Sequence, residues 1–205
     1  PWTKLAAHAA AGDTTLQLAQ AVDWSPGDRI VVAPTDYYAV AETQAMTLAT
    51  VGGAAVGTQE ALGAFRWGVL QYAGANGMTL DPASALQLTG DLAGTPTTLD
   101  ERAEVGHLTR NVVIQAPDDA LWNVDGFGAH VMIMGLASVA RADGVELRRV
   151  GQRGRLGRYA WHWHRLSYDA TTYLGDASPG AHFLRRSTIH GAANRGVVIH
   201  ATNGV

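Results

Sequence analysis

Gly157-Arg158-Tyr159-Ala160-Trp161-His162-Trp163-His164 alternates indole and imidazole at a period of two. Successive side chains of a strand point to opposite faces, so this stretch reads as a strand with both tryptophans on one face and both histidines on the other. The indoles suit a core, which turns the imidazoles outward or onto a groove. Arg153, Arg155, Arg158 and Arg165 surround them and make that face electropositive. The step from an apolar residue to histidine recurs in Thr188-Ile189-His190 and Val198-Ile199-His200.

The rest of the chain is read the same way, as short strands opened by turn residues. Thr14 to Leu18 alternates after Ala11-Gly12-Asp13, and Ser25-Pro26-Gly27-Asp28 is a turn leading into Arg29-Ile30-Val31-Val32-Ala33. Asn111 to Ile114, His130 to Met134, Gly144 to Leu147 and Gly196 to His200 follow. Thr58 to Leu62 reads as a short helical turn. No long segment of 3.6 period separates these strands, so the helical crossovers of an ordinary parallel sheet are missing. An antiparallel sandwich or a solenoid of stacked coils remains. The second half favours the solenoid, because Gly144 to Arg149 and Arg158 to His162 resemble Arg186 to His190 and Arg195 to His200. In that alignment residues 165–180 loop out, Trp161 stacks on Ile199 and His162 stacks on His200, one strand spacing of about 4.8 Å away.

Composition narrows the function. Across 205 residues, 47% are hydrophobic and 16% charged, enough for a substantial core in one or two domains. No apolar run is long enough to span a membrane. With no cysteine, disulfide frameworks and thiolate metal sites are excluded. The net charge of −3 divides unevenly: residues 1–109 hold four basic and eleven acidic side chains, residues 110–205 eleven basic and seven acidic. A basic half with arginines beside histidines suits an anionic ligand such as an acidic polysaccharide. The pI near 6.2 and the short basic field argue against nucleic acid.

Several stretches carry a family resemblance. Trp2-Thr3-Lys4-Leu5, Ala21 to Ala33 and Thr35-Asp36-Tyr37 resemble the extracellular domain named for its eight glycines. Arg102 to Ile114 is similar to the segment that joins this domain to a parallel β-helix. Gly151-Gln152, Leu156-Gly157-Arg158-Tyr159 with His162 and His164, Ser187-Thr188-Ile189-His190, Asn194-Arg195 and Ile199 to Val205 extend the pattern. Together they resemble the cell-migration-inducing hyaluronidase, transmembrane hyaluronidase and fibrocystin-like family, in a bacterial version. The resemblance implies an all-β fold, a right-handed single-stranded parallel β-helix whose opening coils are formed by the N-terminal part. Residues 1–100 would be the glycine-rich region and residues 101–205 the β-helix coils, with further coils expected beyond Val205. It also implies an extracellular or cell-surface protein acting on a glycosaminoglycan-like polymer.

The site residues follow from both readings. His162, His164 and His200 are the candidate catalytic groups, since imidazole exchanges protons near neutral pH. The same three suit a divalent metal ion, with two ligands on one strand face and one on its neighbour. A hydrogen-bonded imidazole ladder between coils is the alternative. Arg158, Arg195, His190 and Glu146 are the candidate substrate-binding groups, with Arg195 a clamp for a uronate carboxylate. No carboxylate pair of the usual glycosidase kind stands in an obvious register. Two functions therefore stand: a hyaluronidase-like glycoside-cleaving enzyme with a His/Arg-lined groove, by hydrolysis or elimination, and a non-catalytic carbohydrate-binding or adhesive module.

Overall fold

The computed structural model describes residues 2–36, 43–86, 97–135, 137–166 and 181–205. The chain divides into two compact units, Pro1–His107 and Leu108–Val205.

The first unit is antiparallel. Its strands are β1 (Trp2–Lys4), β2 (Thr15–Gln17), β3 (Arg29–Val32), β4 (Gln44–Gly52), β5 (Ala55–Thr58), β6 (Gln71–Gly74), β7 (Gly77–Thr79), β8 (Thr98–Leu99) and β9 (Glu104–His107). Six of them form one sheet in the order β1-β9-β3-β4-β5-β2, and β7-β6-β8 form a small second one. Turn chemistry explains the arrangement. Gly27 takes a left-handed φ of 92° in the Ser25–Asp28 turn, where Asp28 N donates to Ser25 O and Ser25 N to the Asp28 carboxylate. Gly53, at φ 69°, turns β4 tightly back onto β5. Alternating Leu16, Ile30, Val32, Met46, Leu48, Val56 and Val105 close the core beneath the sheet. Arg66 lies buried there and donates to the carbonyls of Ala64 and Phe65, and burial lowers its pKa.

Two expectations change here. The N-terminal part does not form opening coils of the solenoid, because Gly53 and the antiparallel ladders of β3, β4 and β9 fold it back on itself. Thr58 to Leu62 is not helical: Thr58 ends β5, and Gln59 N carries the pairing on to Thr47 O.

The second unit is the parallel β-helix. Its strands are β10 (Val112–Gln115), β11 (Val131–Met134), β12 (Arg141–Asp143), β13 (Val145–Val150), β14 (Trp161–His164), β15 (Phe183–Arg185), β16 (Thr188–Ala192) and β17 (Val197–His200). They build three parallel sheets, β10-β13-β16, β11-β14-β17 and β12-β15, and each pass of the chain adds one strand to each sheet it visits. Inside lie Leu147, Val150, Ala160, Trp161, Trp163 and Leu166, with Ile114, Val131, Ile133 and Ile189 against them. Trp163 is 1% exposed, so the indole face is the core face. The indole Nε1 atoms of Trp161 and Trp163 find no acceptor among the described residues, a cost of about 1–3 kcal/mol each that the aromatic packing offsets.

The register differs from the expected one by two residues. Trp163 lies beside Ile199 and His164 beside His200, while His162 pairs with Val198 and Trp161 with Val197. A slip of two keeps every side chain on its own face, so hydrophobic alternation cannot choose between the two registers. The loop expected over residues 165–180 lies mostly outside the described residues; Arg165 and Leu166 are placed, and Leu166 is buried.

The residue following each strand of the β11-β14-β17 sheet is left-handed: Gly135 at φ 90°, Arg165 at 55° and Ala201 at 47°. The coil therefore bends at the same place on every turn, whatever residue occupies the corner. A second constraint sits at Gly128. Its N–H donates to Gly151 O, and a Cβ there would lie 2.5 Å from that oxygen and 2.6 Å from Arg149 O. The backbone of residues 149–151 leaves no room for a methyl group. Gly128→Ala should lower the unfolding free energy by about 3 kcal/mol or more, read as an earlier urea midpoint; an unchanged midpoint would contradict this packing.

Candidate functional site

The histidines meet on the outer face of the β11-β14-β17 sheet. Parallel pairing puts His164 beside His200, and the period of two puts His162 beside His164 on the same face. His162 is 2% exposed, covered by Tyr159, whose ring centroid lies 4.9 Å from its own. His164 is half-buried and His200 exposed. The cluster thus runs from the coil surface inward.

Hydrogen bonds fix the first ring. His162 Nδ1 lies 3.1 Å from Gly157 O, and a carbonyl can only accept, so Nδ1 carries a proton and, in the neutral ring, Nε2 presents a lone pair. That lone pair faces His164 Nδ1 at 3.3 Å, which in turn lies 3.1 Å from His200 Nδ1. The central nitrogen has one in-plane position, holding a proton or a lone pair. It can satisfy one neighbour well and leaves the other contact without a partner. A cation between the rings would take all three lone pairs. The 3.3 and 3.1 Å contacts fit this: two nitrogens bound at roughly 2.0–2.1 Å and a tetrahedral angle stand about 3.3 Å apart. One ligand nitrogen from each of the three rings falls within 4.8 Å of the others. The Gly157 carbonyl already supplies the outer hydrogen bond that orients a metal-binding imidazole. Three protein ligands leave a fourth position open, the arrangement that lets a metal hold water or substrate.

The remaining candidates separate into two places. Arg158 and Arg195 lie near the start of the same sheet's strands. Arg158 Nη1 is 2.7 Å from His130 Nε2, and Arg195 Nη1 donates to Tyr159 Oη at 3.0 Å with its guanidinium 5.3 Å from the ring centroid. Tyr159 therefore links Arg195 to His162. Glu146 and His190 belong to the other large sheet, β10-β13-β16, and the structure does not bring them to the triad. Glu146 is 4% exposed; its Oε1 meets His190 Nε2 at 2.8 Å and Arg148 Nη1 at 3.5 Å, and its Oε2 accepts from Arg110 N. It acts as the buried partner of three donors. Tyr159 and Gly157 are in the quoted Gly-Arg-Tyr block but are not among the site residues named from the sequence. The signal for them was their nearness to His162, and the Gly-Arg-Tyr block carried it.

Burial, then the neighbouring His162, His200 and Arg165, lowers the pKa of His164; burial, then Arg158, lowers that of His130. Both rings are therefore held neutral in the folded chain below the ordinary value of 6.5, where the unfolded chain already takes up protons. Their contribution to stability is complete above pH 6.5 and falls as the pH drops through the unfolded value toward the folded ones. Urea midpoints of metal-free protein should be flat from pH 8 to 7 and decline below 6.5, with the His164 ring signal in NMR titrating below 6.5. A midpoint that rises on acidification would show the opposite sign.

Comparison with known proteins places this geometry in a family. The CEMIP β-helix family model matches residues 126–205, the stretch that holds all three histidines. A G8 domain-containing protein of Dictyostelium discoideum is 30% identical across 94% of this chain and 14% of its own length. Fibrocystin-L of Homo sapiens is 31% identical across 98% of this chain and 5% of its own, and the cell surface hyaluronidase of Danio rerio 30% identical across 89% and 12%. The chain thus spans only a small part of the length of these relatives. Residues 126–205 of the second unit, which carry the Trp-His-Trp-His strand, belong to the CEMIP β-helix family.

Proposed function

We propose that the second unit holds a divalent transition-metal ion on His162, His164 and His200 and uses this centre to cleave an anionic polysaccharide outside the cell. The observation that carries the reading is the convergence of three imidazole nitrogens at 3.3 and 3.1 Å, with the proton of the innermost ring fixed away from them by Gly157 O. Nitrogen ligands of this number suit zinc, copper or nickel better than calcium or magnesium, which prefer oxygen. A bound cation of this kind supplies Lewis acidity toward a glycosidic oxygen or a water. The chain's own part is to orient the ligands through Gly157 and Tyr159 and to present an arginine-rich surface toward a polyanion. The hyaluronidase among the relatives supports a polysaccharide substrate and a cell-exterior setting. No helix among the described residues is long and apolar enough to cross a membrane.

One observation favours a second reading, binding without cleavage. Glu146 is buried and committed to His190 and Arg148, away from the triad. A carboxylate pair that would hydrolyse the polymer without metal is therefore not offered by that residue.

Metal analysis of protein purified without a polyhistidine tag should find about one zinc, copper or nickel ion per chain, lost in His162→Ala/His164→Ala with the far-UV circular dichroism retained. Metal-loaded protein should shorten hyaluronan on size-exclusion chromatography, and the double variant should not. Metal bound without shortening would leave the binding module as the function. Absence of metal in both proteins would overturn the centre itself.

A further inference from the structure

The loop between β13 and β14 and the turn before β17 flank an open cavity of about 330 Å³ lined by Gly154, Arg155, Leu156, Tyr159, Asn194 and Arg195. Its frame is fixed before any ligand arrives. The Asn194 amide donates to Gln152 O at 2.8 Å and Arg155 O at 3.0 Å, and its Oδ1 accepts from Arg195 N at 2.9 Å. All of its hydrogen-bonding groups serve the frame, and it pins the loop to the turn.

The polar side chains lining the cavity, once Asn194 is committed, can all donate. Arg155's guanidinium has no partner among the described residues. Arg195 gives one N–H to Tyr159 Oη, and its other side-chain N–H groups have no hydrogen-bond partner among the described residues. Tyr159, having accepted from Arg195, still has its own O–H to give. Among the described residues no carboxylate lines the space, so two guanidinium groups share it without a described counter-charge. Such a set recognises an oxyanion, and the planar fork of arginine matches a carboxylate or a sulfate. Leu156 at the rim is 89% exposed and offers an apolar surface. A ligand that is charged at one end and has an apolar face fits both features. The volume, at the small end of ligand sites, suits about one sugar ring with its acidic group.

We propose that this cavity is an acidic-sugar subsite, in which Arg155, Arg195 and the Tyr159 hydroxyl hold the carboxylate of a uronate unit while its ring lies against Leu156. This rests on the polysaccharide reading above and deepens it. Tyr159 packs against His162, so a chain anchored here is carried toward the imidazole cluster.

The test measures binding without metal, so that it stands apart from the fate of the metal centre. EDTA-treated protein is titrated by calorimetry with a hyaluronan oligosaccharide, with the same oligosaccharide after reduction of its carboxyl groups, and with a carboxyl-reduced chondroitin sulfate oligosaccharide. The first should bind, and carboxyl reduction should weaken it about tenfold or more. Arg155→Gln and Arg195→Gln should each weaken it about tenfold and together abolish the preference for the uncapped carboxylate. Arg185→Gln removes the same charge from the β12-β15 sheet and should leave affinity unchanged. Circular dichroism and the urea midpoint confirm that each variant folds. Equal binding of the reduced oligosaccharide, or affinity untouched in both Arg155→Gln and Arg195→Gln, overturns the subsite. Preferential binding of the sulfated, carboxyl-reduced chain overturns the carboxylate assignment and makes the oxyanion a sulfate.

Discussion

Parallel pairing of Val131–Met134, Trp161–His164 and Val197–His200 is the constraint on which the second unit depends. A parallel ladder stacks like positions directly over one another, so whatever faces a strand presents are repeated up the sheet. Trp161 and Trp163 occupy the inner row, and their bulk fills the solenoid where Val131, Ile133 and Ile199 are their neighbours. The outer row is then obliged to carry His162, His164 and His200. The core and the candidate site are two sides of one strand. Loss of the indole packing would loosen the very face that aligns the imidazoles.

This coupling explains why so much of the fold was legible in the sequence and where it was not. The Trp-His-Trp-His alternation told which side chains face inward, and the structure agrees. It could not tell how the strands align along their length, because displacement by two residues preserves every inward and outward assignment. In the observed register the bends after the strands come into line. Gly135, Arg165 and Ala201 occupy them in turn, all left-handed. Only glycine advertises such a conformation in a sequence, and an arginine and an alanine at equivalent corners hide the repeat. The first unit was misread for a related reason. Its short strands look like solenoid strands one at a time, and Gly52-Gly53, which turns β4 back onto β5, is the local signal for antiparallel pairing.

The candidate site was legible in its residue types and not in its connections. His162, His164 and His200 stood out as imidazoles on one face. That Gly157 O fixes the tautomer of His162 follows from the loop's path, which no periodicity reports. Glu146 shows the reverse case. Its neighbours Val145 and Leu147 mark the strand correctly, but its carboxylate is drawn into a buried set of donors from Arg110, Arg148 and His190. A buried carboxylate is costly unless its lone pairs are met, and those three donors meet them. Its role is to hold adjacent coils together through β13 and β16.

The uneven charge of the chain takes on a spatial meaning in the same sheet. Arg195 sits beside Tyr159 and Arg158 beside His130, both near the start of the strands, while the histidines cluster toward their ends. Fixed cations held at one end of a strand and imidazoles at the other make a surface with two distinct tastes. The guanidinium groups attract an anion over a distance limited by the screening length of about 8–10 Å. The imidazoles act only on what reaches bonding distance. Tyr159 stands between them, its hydroxyl on Arg195 and its ring on His162. An extended polyanion lying along the sheet would meet the charge first and the imidazoles second, which is the order in which a polymer must be gripped before one of its bonds can be presented.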